Sequence, residues 1–302
     1  MTIVRQSAKR DGNAKSIVQR AQVRSISMIT PLLSPAPRHR TSAGVADLFD
    51  MGLRALRRDR AARTGPELFL YERAFADCLE RLALVHRRFA SALLIGSPNA
   101  DWPARLGSFA DKVEVRDPGP LFALRAAGDV MVEDSWEPRP SAYDLVVAVG
   151  TLDSVNDLPL VLRLIRVSMA AGGLFLGAFS GGDTLPQLRS AVRAADSATG
   201  AAAPHVHPRI EASALAPLLA AAGFIEPVVD VDRASASYRS LERLVADLRA
   251  MGATNLLIAR PRFVGKKARA AAIAAFAAAA KEGRTVEKFE ILHFAAWTPN
   301  KG

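Results

Sequence analysis

Four short apolar runs in the middle of the 302-residue chain each end on residues able to hold a ligand. "SALLI" ends at Gly96 and Ser97, "KVEVR" at Asp117, "GDVMV" at Glu133 and Asp134, and "YDLVVAVG" at Thr151 and the polar stretch through Asp157. Glycine permits positive φ and close approach of the backbone to a ligand, and a strand-end carboxylate accepts two hydrogen bonds at once. Each residue also has a plainer reading. Asp117, followed by Pro118 and Gly119, can open a turn, Asp134 can cap a connection, and Asp144 beside Tyr143 reads as a strand entry. No residue identifies itself as a general base; Asp153 is the candidate by location alone.

Further along, Arg249 ends an amphipathic helix, and Gly252 permits a tight turn presenting Thr254 and Asn255, a substrate-side candidate. The alternative, of equal weight, is a well-capped helix with Arg249 near its negative end. His205 and His207 in "PHVHP" fall on one side of an extended segment, but no third ligand stands at a local spacing and the prolines indicate a surface loop, so no metal is expected. "SGGDTL" lacks the lysine and the spacing of a phosphate loop. The single cysteine, Cys78, recurs with Tyr71, Phe75, Leu82 and Val85 at helical spacing, which makes it a packing residue rather than a nucleophile.

The elements that must position these residues follow from the pattern. "VADLFDMGLRALRRDRAAR" and "PELFLYERAFADCLERLALVHRRF" read as two helices, the second with Pro66 at its start, able to cap a pocket. From Ser91, continuous apolar runs of strand length alternate with helical segments, the signature of a parallel sheet covered on both faces. "LPLVLRLIRVSMAAGG" supplies a crossover helix with Leu160, Leu164, Val167 and Ala171 on one face, ended by Gly172 and Gly173. An Ala-rich helix over Ala268–Lys281 leads into "EKFEILHFAAW", a final strand. The expected fold is a Rossmann-like, doubly wound α/β sheet, mostly parallel, with an N-terminal helical cap (45–88), a cofactor half (90–185) and a substrate-side half (186–302).

Charge and composition narrow the function. Residues 1–44 hold eight basic residues against one acid, Asp11, so of the net charge of +10 only +3 belongs to the remainder, which argues against nucleic acid as partner. That leader is Ser- and Arg-rich and broken by Pro31, Pro35 and Pro37. It fits a mitochondrial-type presequence, and equally a disordered tail or a start assigned too early, with Met28 as a later one. One cysteine rules out an internal disulfide and suits a reducing compartment, the cytoplasm, or the mitochondrial matrix if the leader is a presequence. No apolar run reaches the ~20 residues of a membrane span.

The order of strand-end residues resembles class I S-adenosylmethionine-dependent methyltransferases. That resemblance implies that the loop at Gly96 and Ser97 passes under the methionine part of S-adenosylmethionine, that Asp117 accepts from the two ribose hydroxyls and Asp134 from the adenine amino group, and that Thr151 borders the cofactor. "VNDLPLVLRLIR", "GGLFLGAFSGGDTLPQLRSAV", "AAGFIEPVVDVD", "LVADLRAMGATN" and "FEILHFAAWTP" are similar, more narrowly, to the methyltransferase-like family that includes the mitochondrial complex I assembly factor acting as an arginine hydroxylase, with its bacterial relatives. The malonyl-carrier-protein methyltransferases of biotin synthesis are similar less closely. The resemblance spans residues 45–299 and implies either methyl transfer to a small-molecule or carrier-protein substrate, or action on a client protein such as a respiratory-complex subunit, as arginine hydroxylase or non-catalytic assembly factor. Two departures stand out. Leu94 replaces the family's carboxylate, and Pro98 and Ala100 replace two glycines, so the first loop reads as eroded and cofactor binding as weak or absent. Asp153 and Ser154 replace an aromatic pair, leaving a smaller, more polar wall.

Overall fold

The computed structural model describes residues 47–200, 202–261 and 264–300. The leader, and the readings placed on it, lie outside the described residues. Two helices come first, α1 (Met51–Thr64), started by Asp50, whose carboxylate accepts the Leu53 N–H, and α2 (Phe69–Val85). Pro66 precedes α2 rather than starting it. There follow β1 (Phe89–Ile95), α3 (Trp102–Leu106), β2 (Ala110–Asp117), α4 (Pro120–Arg125), β3 (Asp129–Val130), β4 (Tyr143–Val149), α5 (Leu158–Ser168) and β5 (Met169–Ser180). The chain continues through α6 (Pro186–Thr199), α7 (Ala212–Ala221), β6 (Ile225–Tyr238), α8 (Leu241–Ala250), α9 (Lys266–Ala278) and β7 (Thr285–Trp297).

The strands form one sheet in the order β3-β2-β1-β4-β5-β7-β6. β1 pairs in parallel with β2 and β4, while β7 runs antiparallel between β5 and β6. Alternation along the central strands sends Leu93, Ile95, Val146 and Ala148 to one face, packed with Val161, Leu162 and Ile165 of α5 and Leu215 and Leu219 of α7. Ala92, Leu94, Val147 and Val149 face the other way, onto Phe75, Cys78 and Leu82 of α2 and Trp102 of α3. Leu94 is thus a core residue. Burial raises the Cys78 thiol to about 12, in keeping with a packing role. Leu244 and Leu248 of α8, Ala191 of α6 and Phe276 of α9 make a third cluster with Phe289 of β7.

Three further sequence expectations change. α5 buries the row Leu158, Val161, Leu162 and Ile165, whereas Val167 is exposed and Leu160 and Leu164 are half-buried. Both rows of this helix are apolar, so periodicity alone does not choose between them. The helix also stops at Ser168, before the glycine pair, because Met169 already pairs with Tyr143 of β4; Gly172 and Gly173 lie inside β5. The third strand shrinks to two residues, with Glu133 and Asp134 in a short 3-10 turn after it.

Candidate functional site

β1 and β4 are neighbours at the centre of the sheet, and their connections diverge toward opposite edges, which opens a crevice at their carboxyl ends. Gly96 sits there at φ +83°, where an added Cβ would fall 2.6 Å from the Thr151 Cγ2. Gly150 at φ +65° lies under the Tyr71 ring, whose Cδ1 would be 2.8 Å from a Cβ. Only glycine fits either position.

Both buried carboxylates at the strand ends are already engaged. Asp117 is fully buried; its Oδ1 accepts from Arg58 Nε at 2.8 Å and the Gly119 N–H at 2.7 Å, and its Oδ2 from Arg58 Nη2 at 2.5 Å and the Ser97 N–H at 2.8 Å. It therefore shapes the Pro118–Gly119 turn while holding a guanidinium. Glu133, 1% exposed, receives Arg54 bidentately at 2.6 and 2.9 Å, and Arg54 Nη2 also donates to the Thr151 carbonyl at 2.7 Å. Arg54 and Arg58 stand four residues apart on α1, so one helix face delivers both guanidiniums. Burial by itself would lower the Arg58 pKa, and the Asp117 carboxylate more than offsets this, holding it above its ordinary value.

Asp134 takes the capping role: its Oδ2 accepts the Asn156 N–H at 2.8 Å, and burial, then Glu133, pushes its carboxyl up. The group presented to α1 beyond β3 is Glu133. Asp144 accepts the N–H groups of Ala90 and Ser91, as a strand-entry residue does. The loop after Gly96 is tied down from α2. Ser97 Oγ donates to the Asn99 carbonyl, while Asn99 Nδ2, Trp102 Nε1 and Arg105 all donate to Glu72 at 2.7 Å. Burial opposes ionisation of Glu72, and these donors overcome it and lower its pKa.

Beside this region lies a cavity with about 870 Å³ of empty space, part of it open to solvent, lined among others by Tyr71, Phe179, His207, Arg209, Phe289 and Glu290. Asp153 lines it too, ion-paired with Arg209, so its charge is committed. His207 Nε2 accepts the Leu256 N–H at 2.7 Å, which assigns the ring proton to Nδ1; burial and then Arg209 lower its pKa to about 4. His205 binds Asp196 instead, so the two imidazoles do not converge. Arg249 is exposed on α8. Asn255 donates to the Pro204 carbonyl and accepts the Leu257 N–H. Neither of these, nor Thr254, lines the cavity; Met251, Gly252 and Ala253 of the same stretch do.

The sequence reading missed Arg54, Arg58, Glu72 and the placement of His207. A signal for the first two was present. Positions 54, 58, 61 and 62 share one helix face, with arginines where an apolar stripe belongs, followed by two alanines.

No family model matches the chain. It is 27% identical over 282 residues, 86% of this chain and 80% of the relative, to the mitochondrial arginine-hydroxylase NDUFAF5 of Mus musculus. It is 32% identical over 161 residues, 53% of each chain, to the malonyl-[acyl-carrier protein] O-methyltransferase of Xylella fastidiosa. Among solved structures, the YcgJ protein of Bacillus subtilis aligns with a TM-score of 0.51 at 8% identity, covering 75% of this chain and all of that one, a likeness of fold alone. Sheet order, the antiparallel β7 and these similarities agree: the chain has the class I S-adenosylmethionine-dependent methyltransferase-like fold and is a homologue of the NDUFAF5 arginine-hydroxylases and of the malonyl-[acyl-carrier protein] O-methyltransferases.

Proposed function

We propose that this protein is a methyltransferase-like protein that rests with its cofactor side closed and engages a client through the neighbouring cavity. The observation that carries the reading is the bidentate pairing of Arg58 with Asp117 and of Arg54 with Glu133. The resemblance assigns the ribose of S-adenosylmethionine to Asp117, yet both Asp117 oxygens already take two donors each. Pro98 offers no N–H to the cofactor loop, and the Ser97 N–H is spent on Asp117. The residues as placed therefore do not fit the cofactor, and they support no methyl-transfer step in this closed state.

Calorimetric titration of the wild-type chain with S-adenosylmethionine and S-adenosylhomocysteine tests this, with no binding heat expected at ~100 μM ligand, where a 1 μM site, worth about −8 kcal/mol, would be saturated. Low-micromolar affinity would overturn it.

A second reading, modification of a client arginine, is supported by similarity across 86% of the chain to a protein named arginine-hydroxylase and by Glu290 in the cavity wall, whose ion-pair partner, Arg233, is largely exposed. Mass spectrometry of arginine-containing client peptides after incubation with dioxygen and a two-electron reductant, looking for one added oxygen on arginine, tests it.

A further inference from the structure

We infer that the outer face of the seam between α1 and α8 is a docking surface for a protein segment that mixes acidic and aliphatic residues. Arg57, Arg60, Arg249 and Arg260 are its cationic contacts, and Leu56 and Ile258 its apolar ones. The inference rests on the client reading above and adds where the client is held and by what chemistry.

The first support is placement. α8 packs against α1, and at Gly252 the two chains pass so close that an added Cβ would lie 3.3 Å from the Arg58 Cα and 3.5 Å from the Arg57 carbonyl oxygen. Across this seam Arg57 Nη1 donates to the Asn255 carbonyl. Arg260 Nη1 donates to the Leu257 carbonyl at 2.8 Å, and its Nη2 to Asp50 at 3.3 Å. These bonds fix two guanidiniums before a partner arrives, which lowers the entropy lost on binding. Arg60 and Arg249 are exposed and make no ion pair among the described residues.

The second support is charge. Burial, then Arg260 and Arg60, lower the Arg57 pKa; Arg249 adds to them, and Asp50 opposes. Asp50 is itself engaged, accepting the Leu53 N–H and the Arg260 guanidinium. Four cations gathered about so little acid repel one another, and carboxylates from a partner relieve that repulsion. The dipole of α8 accounts for Arg249 at its carboxyl end and for none of the others.

The third is the kind of partner that fits. All four cations are arginines, whose forks match carboxylates bidentately and which protein interfaces favour over lysine. Leu56, 65% exposed, lies one helical turn before Arg60, and Ile258, 54% exposed, two residues before Arg260, so each apolar side chain is flanked by a guanidinium. Aliphatic groups offer neither a stacking platform for bases nor the Trp and Tyr anchors of a membrane interface, which sets an acidic protein ahead of both. The same stretch that carries Arg249 and Arg260 lines the cavity through Met251, Gly252, Ala253 and Leu256, so a client docked on this face stands next to it.

The test uses the full chain and a fluorescein-labelled peptide of about 16 residues, glutamate pairs alternating with leucines, followed by anisotropy at about 0.15 M salt, where distant charges are screened. Two double variants change the net charge equally: Arg60→Glu with Arg249→Glu on the proposed surface, and Lys112→Glu with Arg163→Glu elsewhere. All four positions are exposed, and circular dichroism checks each fold. If the first pair fails to fold, Arg60→Gln with Arg249→Gln takes its place. The expected result is peptide binding by the wild type, unchanged within about twofold in the Lys112 and Arg163 variant and at least about tenfold weaker in the Arg60 and Arg249 variant. No binding by the wild type at ~100 μM peptide, or equal weakening in both variants, would overturn the surface. Parallel titrations use single-stranded DNA and phosphatidylglycerol vesicles; loss of either in the Arg60 and Arg249 variant, with the peptide still bound, would overturn the acidic protein as occupant. The two readings fail separately, because peptide binding reports this face and the calorimetric titration with S-adenosylmethionine reports the closed cofactor side.

Discussion

Arg58 and His207 show how far a residue's type is from its role. Ionised partners buried together are costly to separate, because removing one strands the other's charge away from water. Arg58→Ala is therefore expected to destabilise the fold by about 3–5 kcal/mol in denaturant titration. Arg73→Ala, which breaks the exposed pair with Asp232, should change stability by no more than about 1 kcal/mol. Equal effects would show that the Arg58 pair is not shielded from solvent. His207 makes a pH prediction. Its pKa falls from 6.5 to about 4 on folding, so between those values the unfolded chain binds more protons, and stability decreases as pH drops through this window. Below about 4 both states are protonated and the contribution is gone. The loss amounts to at most about 3 kcal/mol at 1.36 kcal/mol per unit. His207→Gln, which keeps an acceptor for the Leu256 N–H, should flatten the stability profile between pH 6.5 and 4 relative to wild type; an unchanged profile would remove His207 from the account. In the sequence the carboxylates were legible because strand ends are, and Asp117 and the acidic pair 133–134 were found. Their arginine partners were not, since they lie 59 and 79 residues away and only tertiary packing brings them together.

The helices teach the same lesson about period and context. The two N-terminal helices were legible as covers for a pocket, from capping signals and length. Which face each one buries was legible for α2, with its single apolar stripe, and not for α5, where apolar residues occupy two rows. In α5 the sheet decides, choosing the row that contains Val161 and leaving Val167 outside. Val161→Ala should therefore cost about 1–3 kcal/mol through lost burial and a residual cavity, while Val167→Ala should be close to neutral. Thermal melts of the two variants check this, and a reversed order would restore the face read from the sequence. The Gly96 loop also belongs to this scale. Its departures from glycine read as erosion, yet Glu72 on α2 gathers Asn99, Trp102 and Arg105 into one bonded unit with Pro98 and Ala100 inside it. Glu72→Gln leaves an acceptor for Asn99 and Trp102 but removes the charge facing Arg105. It should loosen the loop without unfolding the domain, seen as faster hydrogen exchange over residues 97–106 with a melting temperature lowered by a few degrees, corresponding to ~1 kcal/mol. Unchanged exchange would mean that the loop holds itself.

At the scale of the molecule, the sequence reading divides the chain near residue 185 into a cofactor half and a substrate-side half, and the sheet runs across that division. β7, the last strand, inserts between β5 and β6 and pairs with β5 from Leu174 to Ser180. Phe294 of β7 packs in the same cluster as Phe175 of β5 and Val161 of α5, so the first half's core is completed by the chain's end. Without β7, β5 would present a long unpaired apolar edge, a template for aggregation. The chain order hides this: alternating strands and helices predict parallel neighbours, and nothing in the "EKFEILHFAAW" stretch says that it inserts one place in from the edge, between β5 and β6, and antiparallel. Residues 45–302 should therefore unfold in one cooperative transition, with far-ultraviolet dichroism and tryptophan fluorescence giving coincident curves, because Trp102 reports the β1 side and Trp297 the β7 side of one sheet. The fragment 45–185 should fail to fold alone and be recovered from inclusion bodies. A soluble, cooperatively melting 45–185 fragment, or two separated transitions in 45–302, would show that the halves are independent units and that β7 is an accessory to the first rather than part of its core.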